Sequence, residues 1–381
     1  MKNLISIIGG GISGLSTAIA LKNKGFHVKI YEKNADFSSP ETGVLLGANA
    51  LHALNELGIM ADIKKHGFST DSWTILSDTG KELTEIYQLS KDYPTYTFIH
   101  RQDLIQILSQ KIQHDMIYFN EKLSDFMYTP DGIDLYFENG KQVATEYLIA
   151  SDGINSNIRK QIQPMKKLRY AGYTCWRGIF HNCPDYIKRR FSETWGPKGR
   201  FGIMPLSGNR LYWYALKNCP PHDPELSSWT TKELLYNFLY YHDPIPQLID
   251  KTLDCHVVQH DIYDLDPLHQ FTYDRIILTG DAAHAITPNL GQGACQAIED
   301  AYFLSKSLES ENELHLAFKK FEELRIERTR KITQDSRIFG KVAQIDIPFL
   351  CSIRNKMLSI TPAAIHEHKL RNVFSLEENR G

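Results

Sequence analysis

Leu4-Ile5-Ser6-Ile7-Ile8 runs into Gly9-Gly10-Gly11-Ile12-Ser13-Gly14, and Val28-Lys29-Ile30-Tyr31-Glu32 follows after one further segment. The first run is short, apolar and rich in β-branched residues, and three glycines stop it; this predicts a buried strand ending in a tight turn. Ser13 to Lys24 predicts a helix with Leu15, Ala18 and Ile19 on one side, closed by Gly25. Val28 to Tyr31 is the next strand. Strand, turn, helix and strand at this spacing open a parallel, doubly wound sheet. Gly9, Gly11 and Gly14 form GxGxxG. The first lets the chain turn sharply, the second lets backbone approach a pyrophosphate, and the third allows helix to pack closely on sheet. The phosphates would sit at the positive N-terminus of the helix that Ser13 opens. Glu32 ends the second strand, where the fingerprint places an acid able to bind both ribose hydroxyls. The bland reading, a glycine turn with no ligand, does not account for strand, helix and acid together. The glycine pattern does not separate FAD from NAD.

Outward from this unit, two later segments are strands that end in an acid. Tyr147-Leu148-Ile149-Ala150 runs into Ser151-Asp152-Gly153, and Arg275-Ile276-Ile277-Leu278 runs into Thr279-Gly280-Asp281. Ligands of open α/β sheets sit beyond the carboxyl ends of strands, so these acids can converge on one ligand. Between them, from about Tyr170 to Pro267, aromatic residues are dense. Trp195 to Leu216 predicts two strands joined by a turn at Ser207-Gly208-Asn209, and Thr230-x-x-Glu233 is a capping box opening a helix through Tyr241. This block reads as a second, sheet-bearing domain inserted into the first. From Ala282 onward the pattern returns to helix, with an exposed Arg- and Glu-rich face expected from Glu322 to Arg330.

A chain of 381 residues, 42% hydrophobic and 23% charged, can bury a sizeable core in one large or two ordinary domains. A net charge of −2 gives no electrostatic footprint for nucleic acid. The six cysteines are scattered with no CxxC pair, so no metal site is expected, and reduced thiols in a cytoplasmic protein are the simpler reading. The apolar run at Leu4–Ile8 is too short for a signal-peptide core, and no stretch reaches the ~18 apolar residues of a membrane span. The longest late apolar stretch, Ile345 to Ile353, contains Asp346 and Pro348.

Three further motifs carry a family resemblance. Ser151-Asp152-Gly153-Ile154-Asn155-Ser156-Asn157-Ile158-Arg159 resembles the Asp-Gly motif of single-component flavoprotein monooxygenases. Gly280-Asp281-Ala282-Ala283-His284, Pro288-Asn289-Leu290-Gly291-Gln292-Gly293 and Glu299-Asp300-Ala301 together resemble their second flavin motif. His100-Arg101-Gln102-Asp103-Leu104 resembles the arginine-bearing helix start between the two. Order and spacing are similar to the para-hydroxybenzoate hydroxylase-like family from residue 4 to about residue 335. Arg169-Tyr170-Ala171-Gly172-Tyr173 with Trp176 resembles the branch of urate hydroxylase, salicylate hydroxylase and zeaxanthin epoxidase.

The resemblance implies a Rossmann-like α/β FAD-binding domain with an inserted mixed β-sheet substrate domain. Residues 1–70, 98–168 and 268–381 would form the first, with C-terminal helices, and 71–97 with 169–267 the second. It implies that FAD contacts Gly9, Gly11, Ser13, Gly14, Glu32, Lys33, Val44, Arg101, Leu123, Asp152, Asp281, Gly291, Gly293 and Ala294. The small residues Ala294, Ala297 and Ala301 would let their helix pack tightly on the sheet, with its N-terminus facing the negative edge of reduced flavin. Competing readings are a surface cation for Arg101, a strand-end cap for Asp152 and a strand-end turn acid for Asp281; His284 is read as structural. NADH or NADPH would be a transient co-substrate, since no second GxGxxG is present, and molecular oxygen would be passed to a small aromatic or heteroaromatic substrate through a flavin hydroperoxide. In the urate hydroxylase-like branch an arginine and a tyrosine on facing strands contact substrate, and Arg200 and Tyr212 match those places; their alternatives are a solvated charge and sheet packing. Asn289 stands where that branch often has aspartate. An oxidase or halogenase on the same fold, or a non-catalytic flavin sensor, are the competing functions, although Trp213-Tyr214 does not supply the halogenase WxWxIP signature. A monomer or homodimer is expected.

Overall fold

The computed structural model describes residues 4–38, 41–87, 89–184, 190–311 and 313–376. The ends of the expected FAD-binding segments, 1–3 and 377–381, and residues 185–189 of the expected substrate domain lie outside the described residues. The strand Leu4–Ile8 lies inside a six-stranded sheet. It pairs in parallel with His27–Tyr31 on one side and Tyr147–Ala150 on the other, and the latter pairs in parallel with Ile276–Leu278. The chain thus leaves Leu4–Ile8 in both directions, and a crevice opens at the carboxyl ends of these strands, where a doubly wound sheet binds its ligand. Near-continuous apolar runs such as Ile276–Leu278 suit strands covered on both faces.

The helix Ile12–Asn23 covers one face, and the helix Gly293–Ser310 packs against it. The small residues Ala297 and Ala301 are buried, so the close packing expected of that helix is made chiefly with another helix instead of the sheet.

The aromatic block forms a seven-stranded mixed sheet in the order Val257–Leu265, Leu168–Phe180, Arg210–Asn218, Gly199–Leu206, Ser192–Gly196, Ser72–Ser77, Glu82–Tyr87. Trp195 to Leu216 holds parts of three strands where two were expected, because Pro197-Lys198 turns the chain ahead of the expected turn at 207–209. Period-2 alternation divides the sheet's side chains. Trp176, Phe201, Ile203, Leu211 and Trp213 point outward into a separate core closed by the helices Thr231–Phe238 and Ile245–Asp250. The expected capping box at Thr230 and Glu233 is present and opens the first of these helices. The other face carries Tyr173, Cys175, Arg177, Arg200, Tyr212 and Tyr214 toward the crevice.

The long helix Leu314–Ala343 ties the two sheets together. Its Arg337 and the sheet's Arg169 both clamp the fully buried Asp264, Arg337 through Nε at 2.8 Å and Arg169 through Nε at 2.9 Å.

Gly202 makes room for an inward tyrosine: a Cβ there would lie 2.0 Å from Cζ of Tyr214, whose hydroxyl donates to Glu193 at 2.8 Å. Gly202→Ala is therefore expected to displace a half-buried, hydrogen-bonded ring and lower stability by about 1–3 kcal/mol, read from the urea midpoint. An unchanged midpoint would show that the ring yields freely.

Candidate active site

The crevice is a cavity of about 430 Å³ between the two sheets. Its first wall is the glycine turn. Gly9 has φ +106, and its amide donates to the carbonyl of Tyr31 at 2.9 Å. A Cβ on Gly14 would lie 1.9 Å from the Gly9 carbonyl oxygen, so helix and turn meet as the fingerprint requires. Gly11 lines the cavity, and a Cβ there would meet nothing within 4 Å. Behind it, hydroxyls from three distant segments converge. Ser151 Oγ and Thr279 Oγ1 lie 2.7 Å apart, and Ser13 Oγ lies 3.1 Å from Thr279 Oγ1.

The second wall is the turn before Gly293–Ser310. Gly291, Gly293 and Ala294 line the cavity, so two helix N-termini open into it. Helix N-termini present unpaired amides and partial positive charge. Asp281 and Arg101 also line it, and Arg101 feels the Asp281 carboxylate. Burial lowers the Arg101 pKa from its ordinary value and Asp281 opposes that shift. Among the described residues the Arg101 side chain has no hydrogen-bond partner. An unbonded guanidinium, two helix N-termini and open space at Gly11 and Gly293 fit a flat ring joined to a pyrophosphate, which is the chemistry of FAD.

Val44 completes the set of expected cofactor residues that face the cavity. Gly9, Gly14, Glu32, Lys33, Leu123 and Asp152 do not line it. Glu32 is buried and accepts from the amides of Gly10 at 2.7 Å and Asn34 at 2.9 Å, so it braces the glycine turn. Lys33 is exposed, and Leu123 is buried with its carbonyl taking a bond from Asn157. Asp152 accepts from the amide of Asn157 at 2.8 Å, in the first turn of the helix Asn157–Ile162, whose N-cap is Ser156.

Arg159, quoted above only as the end of a motif, is 1% exposed and donates to the carbonyls of Asp281 and Ala282 at 3.3 and 3.1 Å. It ties the Asp-Gly segment to the turn that carries Asp281. The expected exposed face at 322–330 is corrected at Arg325, which is fully buried. Its Nε donates to Asp300 at 2.7 Å, and its guanidinium also pairs with Glu299. Asp300 in turn accepts from the amide of Gly280 and from His284 Nε2, each at 2.7 Å, which is the structural role read for His284. No periodicity distinguishes this arginine from its solvated neighbours; its signal lay in the acids Glu299-Asp300, which need a buried counter-charge.

The third wall is the inner face of the large sheet. Arg200 is 2% exposed, so the reading of a solvated charge fails. It pairs with Glu193, and Nη1 donates to Asn289 at 2.8 Å. Tyr173 also donates to Asn289 Oδ1 at 3.1 Å. Tyr212 lines the cavity, with its pKa raised by burial and lowered by neighbouring Arg177. Arg177 is a cavity cation that the motifs did not single out. Its pKa shifts upward, with Cys175 the leading cause and Tyr212 adding to it against burial. Its only sequence signal was alternation: Cys175 and Arg177 share a strand face opposite Trp176.

Residues 3–312 match the FAD binding domain family. The chain belongs to that family. It is 34% identical to aurachin C monooxygenase/isomerase of Stigmatella aurantiaca over 93% of both chains. It is 28% identical to 6-hydroxynicotinate 3-monooxygenase of Bordetella bronchiseptica over 88% of this chain and 91% of that protein. The structure of Klebsiella pneumoniae HpxO with FAD and uric acid superposes with a TM-score of 0.88 at 22% identity, covering 98% of this chain and 96% of that one. The protein is thus an FAD-dependent enzyme of the monooxygenase kind, with the para-hydroxybenzoate hydroxylase-like fold expected from its sequence. No helix among the described residues is long and apolar enough to cross a membrane.

Glu299 yields a pH prediction. Burial alone would raise its pKa, but Arg328 and Arg325, with hydrogen bonds from Arg328 and Asn49, hold it down at about 2. A depressed carboxylate stabilises the fold fully above its unfolded value and loses that contribution as pH falls through the folded value. Arg325→Ala leaves Glu299 and Asp300 short of a buried partner, and a loss of about 3–5 kcal/mol is expected. Urea unfolding at neutral pH should show that loss, and the gap from wild type should narrow as pH falls from about 4.5 toward about 2.

Proposed function

We propose that the chain uses NADH or NADPH and molecular oxygen to hydroxylate a small, planar aromatic or heteroaromatic substrate bearing an anionic or carbonyl oxygen. The observation that carries this reading is the composition of this cavity: glycines, helix N-termini, Arg101 and Asp281 on one side, and Arg177, Arg200 and Tyr212 from the mixed sheet on the other. The name of the relative 6-hydroxynicotinate 3-monooxygenase describes a hydroxylated heteroaromatic acid, which is this chemistry.

In this reading Gly11, Ser13, Val44, Arg101, Asp281, Gly291, Gly293 and Ala294 hold FAD. Gly9, Gly14, Glu32 and Asp152 fix the turns beneath it, and Lys33 and Leu123 lie at the margin of the site. Residues 71–97 and 169–267 form the substrate-side domain. Bound FAD supplies the redox chemistry that passes one oxygen atom to the substrate. The protein's own part is binding, orientation and exclusion of water. Arg177 faces the substrate's oxygen with a charge-assisted hydrogen bond, and Tyr212 donates its hydroxyl, which burial keeps protonated. Arg200 closes the far wall; Glu193 and Asn289 fix its guanidinium, so it orients the substrate through a rigid edge.

Asp281→Ala is expected to weaken FAD binding more than Asp152→Ala, since only the first carboxylate lines the cavity. Titrating FAD into the two apo variants decides this, and equal affinities would reverse the assignment.

Arg177→Ala should raise the substrate KM, at a cost of ~1.5–3 kcal/mol for a hydrogen bond to a charged group. It should also divert NAD(P)H oxidation into hydrogen peroxide, because small errors in geometry cost rate steeply. Arg200→Ala should uncouple as well and, by stranding Glu193, lower stability. The substrate follows from screening NADH and NADPH oxidation against phenols, purines, quinolones and tetracyclines with product mass measured. Peroxide released in proportion to substrate without NAD(P)H would make the protein an oxidase. Bound FAD with no stimulated turnover would make it a sensor.

A further inference from the structure

The helix Pro348–Ile360 buries an arginine and leaves most of its apolar residues exposed. A helix of a globular protein ordinarily buries its apolar stripe and exposes its polar one. Here the inward residues include Cys351 and Arg354, both buried. Cys351 Sγ donates to the carbonyl of Ile345 at 3.0 Å. Arg354 Nη1 donates to the carbonyls of Ala343 and Ile345 at 3.2 and 3.0 Å, and its guanidinium lies 5.3 Å from the ring centre of Trp195. These polar contacts, together with Leu358 packed against the core, anchor the inner side of the helix.

Its outer side carries Phe349, Leu350, Ile353, Met357 and Ile360, which are 72%, 41%, 42%, 60% and 70% exposed. At about 100° per residue these five fall on one stripe roughly 100° wide. The neighbouring chain adds exposed Ile338, Val342 and Ile347. Single exposed apolar residues are ordinary, but a continuous stripe marks a surface that something covers.

The charge beside the stripe selects the occupant. Lys356, at the edge of the stripe, and Lys341, on the preceding helix, are exposed and make no ion pair among the described residues. Basic residues beside an apolar helical stripe suit the headgroup level of an anionic membrane.

We propose that the outer face of Pro348–Ile360 seats the protein on an anionic lipid surface, with the helix lying in the interface plane. The contact does not depend on the reaction proposed above. It does lie beside the cavity wall, since Trp195 under Arg354 donates through Nε1 to Glu193, the partner of Arg200, at 2.8 Å.

The test is flotation of the FAD-loaded full-length protein with phosphatidylcholine vesicles and with equimolar phosphatidylcholine–phosphatidylglycerol vesicles. Wild type is expected to float with the mixed vesicles. The triple variant Phe349→Ser, Ile353→Ser, Met357→Ser should partition at least roughly tenfold less, because interfacial binding scales with buried apolar area. All three side chains point outward, so its FAD absorbance and thermal midpoint should match wild type. Lys341→Glu with Lys356→Glu should remove the preference for the mixed vesicles. The proposal is overturned if wild type floats with neither preparation or if the triple variant floats as well as wild type. It is also overturned if the triple variant turns a dimer into a monomer in light scattering while vesicle binding is absent, which would make the occupant a second copy of this chain. An unchanged anionic preference in the lysine variant overturns the headgroup assignment.

Discussion

Arg325 sits at zero exposure between two carboxylates, and much of the flavin side of the molecule hangs on that arrangement. A buried guanidinium is tolerable only when its donors are matched, and here they are: Asp300, Glu299 and both the carbonyl and side chain of Gln296 accept from it. Arg328, which is partly exposed, adds a second cation on Glu299, so two positive charges face two negative ones. Asp300 passes the constraint on by accepting from the amide of Gly280, the residue that turns with φ +58 just before Asp281. The same carboxylate takes His284, and Arg159 holds the carbonyls of Asp281 and Ala282 from the other side. The cavity-lining carboxylate thus belongs to a short helix pinned at both ends by charged groups that never reach the ligand.

The two halves of the cavity are polarised in different ways. On the flavin side the positive character comes largely from backbone, through two helix N-termini, with Arg101 added. Such donors are fixed by the fold and need no reorganisation when negative charge arrives. On the sheet side it comes from side chains whose partners are already chosen. Glu193 accepts from Trp195 at 2.8 Å and from Tyr214 at 2.8 Å, and it pairs with Arg200. Asn289 bridges the halves: Oδ1 accepts from Arg200 and Tyr173, and Nδ2 donates to Thr287 Oγ1 and to the carbonyl of Ser336, each at 3.0 Å. An aspartate at this position could not donate those last two bonds while ionised. The amide therefore joins the sheet to the flavin-side turn through four contacts without bringing a further charge into the cavity.

The doubly wound sheet, the glycine turn and the flavin family were legible in the linear sequence, because each depends on contacts among neighbours in the chain. A strand's apolar run, a turn's glycines and a cap's hydroxyl, such as that of Thr230, are set within a few residues. Glycines that line the cavity, such as Gly11 and Gly293, were readable for the same reason. The tertiary structure alone decided the rest, since charge pairing and burial are properties of segments distant in sequence. Arg325 read as one more solvated arginine until helix packing brought Glu299 and Asp300 to it. Glu32 and Asp152 were read as candidate ligands, and it took the fold to show that their carboxylates accept from backbone amides. Arg177 became a cavity cation only when the pleat set it on the inner face beside Tyr212. The sequence by itself determined which ligand class the fold accepts; which side chains face that ligand was decided by desolvation, which lets a buried charge persist only where three-dimensional packing supplies its partner.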